Sequence, residues 1–258
     1  VLTENTSTSY FNYRGQLMGF EYDILSDFAD SFNLKLKIIV VNNSKNFATY
    51  LRQGKGDIIA CNYTITKSRK KLHSFSFPYL KERLVLVQRK NNPPPIRDIK
   101  KIHAQQIHLR AHSSYYQVLK AIEKKNNISF NLKELKGDLP TEDYIDLVAK
   151  GEINYTVSED NIARLCALTH SNVDIKTYLS KPMPIAFGLR LEDTQFKDTL
   201  DCWLEDYVNS NRYNNLVSLY FRVLDTSFIN DKLKNINKIS IYDSLFKVSG
   251  QKHQIDWI

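Results

Sequence analysis

Arg69 is the side chain whose chemistry reads most directly. It follows the Thr64-Ile65-Thr66 turn at an expected helix start. Its guanidinium is a planar fork of donors matched to a carboxylate; beside Lys70 and Lys71, the alternative is a solvated surface charge. Asn62 and Thr64 close a short apolar strand, where groups at the carboxyl end face a crevice; capping within a turn explains the same pair. Ser113 and Ser114 open a helix whose free N–H groups and positive dipole end suit an anion, and plain N-capping would also place them there. Glu159, with Asp160 beside it, puts carboxylate at another helix start, a sound arrangement without any ligand. Tyr10, Phe11 and Tyr13 precede the first helix, and their plain reading is core packing.

Nothing in this set amounts to catalysis. No Ser/His/Asp or paired-carboxylate arrangement stands out, so hydrolase and lyase chemistry ranks last. Cys61, Cys166 and Cys202 are far apart and odd in number, without CxxC or Cys/His metal spacing, so at most one disulfide could form and no metal or cofactor is expected. The net charge is +8, but the basic residues are scattered and the longest cluster is Arg69-Lys70-Lys71. No nucleic-acid motif accompanies them, which favours a solvated basic surface over a nucleic-acid site and leaves an anionic cell-wall polymer open. No apolar run reaches the eighteen residues of a membrane span. The chain starts at Val1 without a basic or apolar leader and reads as a mature or trimmed product.

These residues need a scaffold. The chain has 258 residues, 42% hydrophobic and 25% charged, which suits one large domain or two lobes of about 100 residues each. Ile24, Leu25, Phe28, Ala29 and Phe32 share a helical face. Residues 34–41 alternate and then turn fully apolar, as in a strand. A short helix from Ser44, stopped by Gly54 and Gly56, leads to the buried strand 57–61. This alternation predicts an α/β sheet. A strand at 83–88 and the breaker-rich segment 91–95 precede a second α/β set, with strands at 106–109, 128–135 and 153–157 and helices from Ser113 and Thr141. Strand 182–193 and helices 194–208 and 212–221 follow. Two α/β units joined near residues 80–90 and 182–190 form a cleft with candidate hinges.

Five segments in this order, GFEYDIL (19–25), LRQGKGDIIACNYTITKSRKKLHSFSFPY (51–79), residues 106–114, INYTVSED (153–160) and PMPIAFGL (182–189), resemble extracellular solute-binding proteins of the polar amino acid type, family 3. The resemblance covers about residues 1–222. The tail, LDTSFIND (224–231) and ISIYDSLFKVSGQKHQIDWI (239–258), resembles the linker of the membrane-bound lytic transglycosylase F family, in which such a domain precedes a peptidoglycan-cleaving one. The fold implied is a two-lobed periplasmic-binding-protein-like α/β fold with two hinge crossings and a C-terminal helical linker. Lobe 1 would comprise residues 1–84 and 185–222, lobe 2 residues 85–184, and the linker residues 223–258. The catalytic glutamate of that family would lie beyond Ile258.

By this resemblance Arg69 holds a ligand α-carboxylate, an acidic residue at Glu159 or Asp160 pairs with the ammonium, and an aromatic at Tyr10, Phe11 or Tyr13 packs on the ligand. Asn62, Thr64, Ser113 and Ser114 would complete the site. Three departures stand out: Asn62 and His112 occupy positions where relatives often have Gly, and Glu159 stands where the acidic residue is usually Asp, which implies a smaller or shifted ammonium site. The implied partner is a small zwitterionic or peptide-like ligand, with peptidoglycan and a following catalytic domain as further partners, and no nucleic acid. A monomeric, periplasmic or outer-membrane-associated sensor is expected; the alternative is a free-standing receptor of an amino acid transporter.

Overall fold

The computed structural model describes residues 1–91, 93–102, 105–135 and 139–222. The linker expected at 223–258 lies outside the described residues. Two five-stranded sheets organise the chain. The first runs Ile39–Val40, Leu2–Thr3, Ile59–Ala60, Gly188–Leu189, Ser74–Phe75; the second runs Asn131–Glu134, Gln106–Leu109, Thr156–Glu159, Leu84–Arg89, Val173–Tyr178. Each has three parallel strands and then an antiparallel one.

Both sheets are covered on two faces, and side-chain alternation shows it. In the second, Leu84 and Leu86 enter one hydrophobic cluster while Val85 and Val87 enter another. All four are fully buried, as expected of a central strand between two layers. In the first, Ile58 and Ala60 pack under the Phe20–Ser31 helix while Ile59 faces Leu51 and Phe47 of the Asn46–Arg52 helix. A buried side chain of this size contributes about 1.5–3 kcal/mol relative to exposure.

The chain passes between the lobes twice. The crossings pair as a two-stranded ladder, Leu80–Glu82 against Met183–Ile185. The expected strand at 34–41 shortens to Ile39–Val40, because its partner Leu2–Thr3 offers two residues of ladder. The helices at 194–208 and 212–221 appear as Thr194–Tyr207 and Asn211–Val217, the latter continued by a π turn at Ser218–Arg222. Gly19 is required at the entry to the first helix. Its φ is 151°, and a Cβ there would lie 2.1 Å from the Ser9 carbonyl oxygen. Its N–H donates to Tyr220 Oη at 2.9 Å, tying the entry to the last described turn.

Candidate functional site

Strands Leu2–Thr3, Ile59–Ala60, Gln106–Leu109 and Thr156–Glu159 deliver their carboxyl ends to one cavity between the lobes, of about 330 Å³. It is the size range of small-molecule sites. Arg69, Asn62, Ser113, Ser114 and Glu159 line it. Thr64, Tyr10 and Asp160 are not among the lining residues.

Arg69 opens a short 3₁₀ turn, Arg69–Lys71. Two local contacts aim it. Nη1 donates to the Thr64 carbonyl at 3.0 Å, and the guanidinium carbon sits 3.8 Å from the Tyr63 ring centroid. One bond uses one of its five donors, so most of the fork remains for an anion. Thr64 therefore serves the site through its backbone. Its side chain is buried and approaches Ser114 Oγ at 3.5 Å, across the lobes.

Asn62 has a φ of 53° and His112 a φ of 58°. The two positions where the resemblance implies glycine are thus both left-handed, a region uncommon for residues other than glycine, although Asn and His are enriched in it. The Asn62 N–H donates to Glu21, whose carboxylate also accepts from Tyr79 Oη at 2.7 Å. Burial pushes the Glu21 carboxyl up, opposed by these hydrogen bonds. Glu21 thus fixes the turn that carries Asn62.

On the opposite wall Ser113 Oγ donates to the Arg110 carbonyl at 2.7 Å, and Ser114 makes no side-chain cap on the Tyr115–Asn126 helix. Glu159 is 4% exposed and accepts a hydrogen bond from Tyr115 Oη. Burial raises the Glu159 carboxyl, with the Tyr115 bond and the Arg110 and Arg69 charges opposing. Asp160 forms a 3.0 Å ion pair with Arg164 one helical turn on. Tyr10 packs against Tyr22 at 5.5 Å between ring centroids, Phe11 packs on the first core, and Tyr13 is exposed beneath Arg14. The structure therefore brings Arg69 and Glu159 to one cavity from different lobes and leaves Asp160 and the three aromatics outside it.

Several lining groups escaped the sequence reading. Glu4 and Arg110 form a 2.8 Å ion pair that spans the lobes, and both are largely buried. Each follows directly on a strand, Leu2–Thr3 and Gln106–Leu109, so the strand-end rule that picked out Asn62 applies to them as well. Further cross-lobe bonds run from Ser7 N and Oγ to Glu142 Oε1, at 3.1 and 2.7 Å, and from Ser68 Oγ to Gln117 Oε1 at 2.6 Å. The three cysteines are free, and no metal-holding group of His, Cys, Asp or Glu occurs among the described residues.

The profile of bacterial extracellular solute-binding proteins, family 3, matches residues 1–223. The chain belongs to this family. It is also similar along its whole length to membrane-bound lytic murein transglycosylase F of Desulfosudis oleivorans, at 28% identity, and of Alcanivorax borkumensis, at 26%. It spans 57% and 56% of those proteins. Among solved structures, an ancestral arginine-binding protein bound to arginine matches at a TM-score of 0.72 and 19% identity, over 85% of this chain and 96% of that one. A substrate-binding protein of an amino acid ABC transporter matches at 0.72 and 21%, over 86% and 99%. A structure concerned with glutathione import in Streptococcus mutans matches at 0.74 and 17%, over 85% and 92%. These likenesses establish the two-lobed fold. The chain is thus a family 3 solute-binding domain related to part of transglycosylase F, and these relatives point to an extracytoplasmic location. No helix among the described residues is long and apolar enough to cross a membrane.

Proposed function

We propose that this domain is the ligand-binding sensor of a lytic transglycosylase-like protein, that it takes a small zwitterionic or peptide-like molecule between its lobes, and that it performs no cleavage itself. The observation that carries the reading is the placement of Arg69 on one lobe and Glu159 on the other, both lining one 330 Å³ cavity. A cation and an acid on opposite walls favour a molecule that bears both charges. Only a ligand touching both lobes has more to gain in the closed form, and that difference is what shifts the population toward closure. Residues 1–84 with 185–222 would move against 85–184 about the paired crossings, passing closure to a following catalytic domain in a monomeric, periplasmic or outer-membrane-associated protein. Asp160, engaged by Arg164, is the less suitable ammonium partner of the two acids.

A second reading, a receptor serving an amino acid transporter, is favoured by the structural likeness to an arginine-binding protein and to the substrate-binding protein of an amino acid ABC transporter. A thermal-shift screen with amino acids, cell-wall peptides and neutral sugars separates the two. Stabilisation by a muropeptide-derived peptide is expected. Stabilisation by one free amino acid and no peptide would favour the transport receptor, and a response to neutral sugar alone would remove the dipolar site.

A further inference from the structure

Four residues that line the cavity carry buried polar atoms without a hydrogen-bond partner among the described residues: Thr8 Oγ1, Asn62 Nδ2, Arg110 Nε and both ring nitrogens of His73. Buried polar atoms are nearly always satisfied, so four such residues around one cavity call for partners that the described residues do not supply. His73 is the most demanding. It is 2% exposed, and two unpaired nitrogens sit on one ring.

Its position is fixed by the chain. The His73 N–H donates to the Arg69 carbonyl at 2.9 Å, which closes the turn behind Arg69. The imidazole meets the Tyr63 ring edge-on at 5.9 Å between centroids, and Arg69 lies on that same ring. Arg69 and His73 thus flank one aromatic ring at the cavity wall. Near it the lining includes Phe47, which contacts Tyr63 at 6.4 Å between centroids. Burial, then the neighbouring Arg69 and Arg52 charges, lower the imidazole to about 4. At neutral pH the ring is uncharged, with one nitrogen donating and the other accepting.

We infer that His73 is a specificity-determining ligand contact, reading an uncharged donor–acceptor group, an amide above all, that sits beside the carboxylate held by Arg69. This rests on the proposed ligand site and narrows its substrate class. A purely aliphatic amino acid would satisfy Arg69 and leave the His73 nitrogens buried and unpaired. A carboxamide side chain or a peptide bond offers both an N–H and a C=O, matching the two nitrogens.

The test begins with the native chain, screened by calorimetry with the standard amino acids, norleucine and the dipeptide L-alanyl-D-glutamate. L-glutamine or the dipeptide is expected to bind more tightly than the similarly sized norleucine. In His73→Phe that preference should fall by about 5- to 10-fold, the loss expected when hydrogen bonds to a buried partner are removed, with norleucine binding no weaker. His73→Asn, which keeps a donor and an acceptor, should retain part of the preference. Because His73→Phe could also perturb folding, the ring nitrogens are followed by NMR in the native protein. An amide-bearing probe should shift the His73 nitrogen resonances and norleucine should not. Equal losses for both probe types, or unmoved nitrogens when an amide probe binds, would overturn the His73 assignment and leave the Arg69 site standing. Failure of every probe to bind the native chain would overturn the ligand-site reading and this inference with it.

Discussion

The two walls of the cavity solve the same problem differently. On the first lobe Arg69 is half-buried, braced by one backbone carbonyl and one aromatic face, with most of its donors uncommitted. On the second lobe Glu159 is fully buried, already engaged by Tyr115, and raised by desolvation. A guanidinium keeps its charge at any pH a protein meets, whereas a buried carboxyl surrenders its charge readily. The cation wall is therefore permanent and the acid wall conditional. Carboxylate recognition should dominate affinity, and ammonium recognition should depend on pH.

Removing the permanent wall gives the largest expected effect. Arg69→Ala should weaken binding of a carboxylate-bearing ligand by about 1.5–3 kcal/mol, tenfold or more, while folding persists. Titration calorimetry on the variant checks this; unchanged affinity would place the carboxylate elsewhere. Since Arg69 Nη1 also braces the Thr64 carbonyl, Arg69→Lys separates charge from fork and should recover only part of the loss.

The conditional wall is crowded with acid. Glu82, at the first crossing, has its carboxyl pushed up to about 7, chiefly by burial and then by the nearby Asp160, with Glu159 contributing less. Its ordinary value is 4.5. The folded state thus holds this proton more tightly than the unfolded state, so stability should rise as pH falls through 7 toward 4.5. Glu159 and Glu21, also raised by burial, act in the same direction. Glu82→Gln should flatten much of that rise and stabilise the domain above pH 7 by about 1.5–2 kcal/mol, after allowance for solvent screening. Urea unfolding from pH 4.5 to 8 reads both. A stability maximum above pH 7 in the native chain would contradict it.

Tyr115→Phe sharpens the contrast further. It leaves the buried Glu159 carboxyl without the hydroxyl it accepts from, which should cost about 1–2 kcal/mol of stability. The variant should also lose ammonium-dependent affinity while keeping carboxylate-dependent affinity. Amino acids compared with their deaminated analogues by calorimetry provide the measurement.

How much of this was readable beforehand follows from where the information lies. Most strands were legible because apolar patterning is local: residues 84–87 are apolar at every position, and a strand buried on two faces needs no more. Leu2–Thr3, Ser74–Phe75 and Val173–Tyr178 were not read as strands, being too short or too polar to stand out. Arg69 and Glu159 were legible because each sits in a recognisable segment and strand-end positions face the cleft. What could not be read was pairing across the lobes. Glu4 and Arg110 are 106 positions apart, and no local pattern predicts that they meet. His73 was hidden for a similar reason. Its partnerless nitrogens are a property of the folded surroundings, and in the chain it is one histidine among six. Asp160 illustrates the converse. Its neighbour in sequence lines the cavity, yet the helix that begins there supplies Arg164 at i+4 and engages it outside. Tyr10 likewise met Tyr22 of the first helix rather than the cavity.

The smallest expected effect compares the two left-handed positions that frame the walls. Asn62 follows the first-lobe strand and His112 lies just ahead of the Tyr115–Asn126 helix. Asn tolerates this backbone region because its short polar side chain can bond locally. His has a larger side chain and gains less from such bonds, so more of the steric cost remains. Glycine removes that cost but adds entropy to the unfolded chain, which offsets part of the gain. His112→Gly should therefore stabilise the domain by roughly 0.5–1 kcal/mol, and Asn62→Gly should be near neutral. His112 is exposed, so no core packing is lost by its removal. Asn62, by contrast, places an unpaired Nδ2 in the cavity. Asn62→Gly should then weaken binding of an amide-bearing ligand several-fold, by about the value of one hydrogen bond, with stability little changed. Denaturant melts of both variants, paired with calorimetry, decide the matter. If Asn62→Gly stabilises as much as His112→Gly and binding is untouched, Asn62 is a turn residue alone and the first wall reduces to Arg69 and His73.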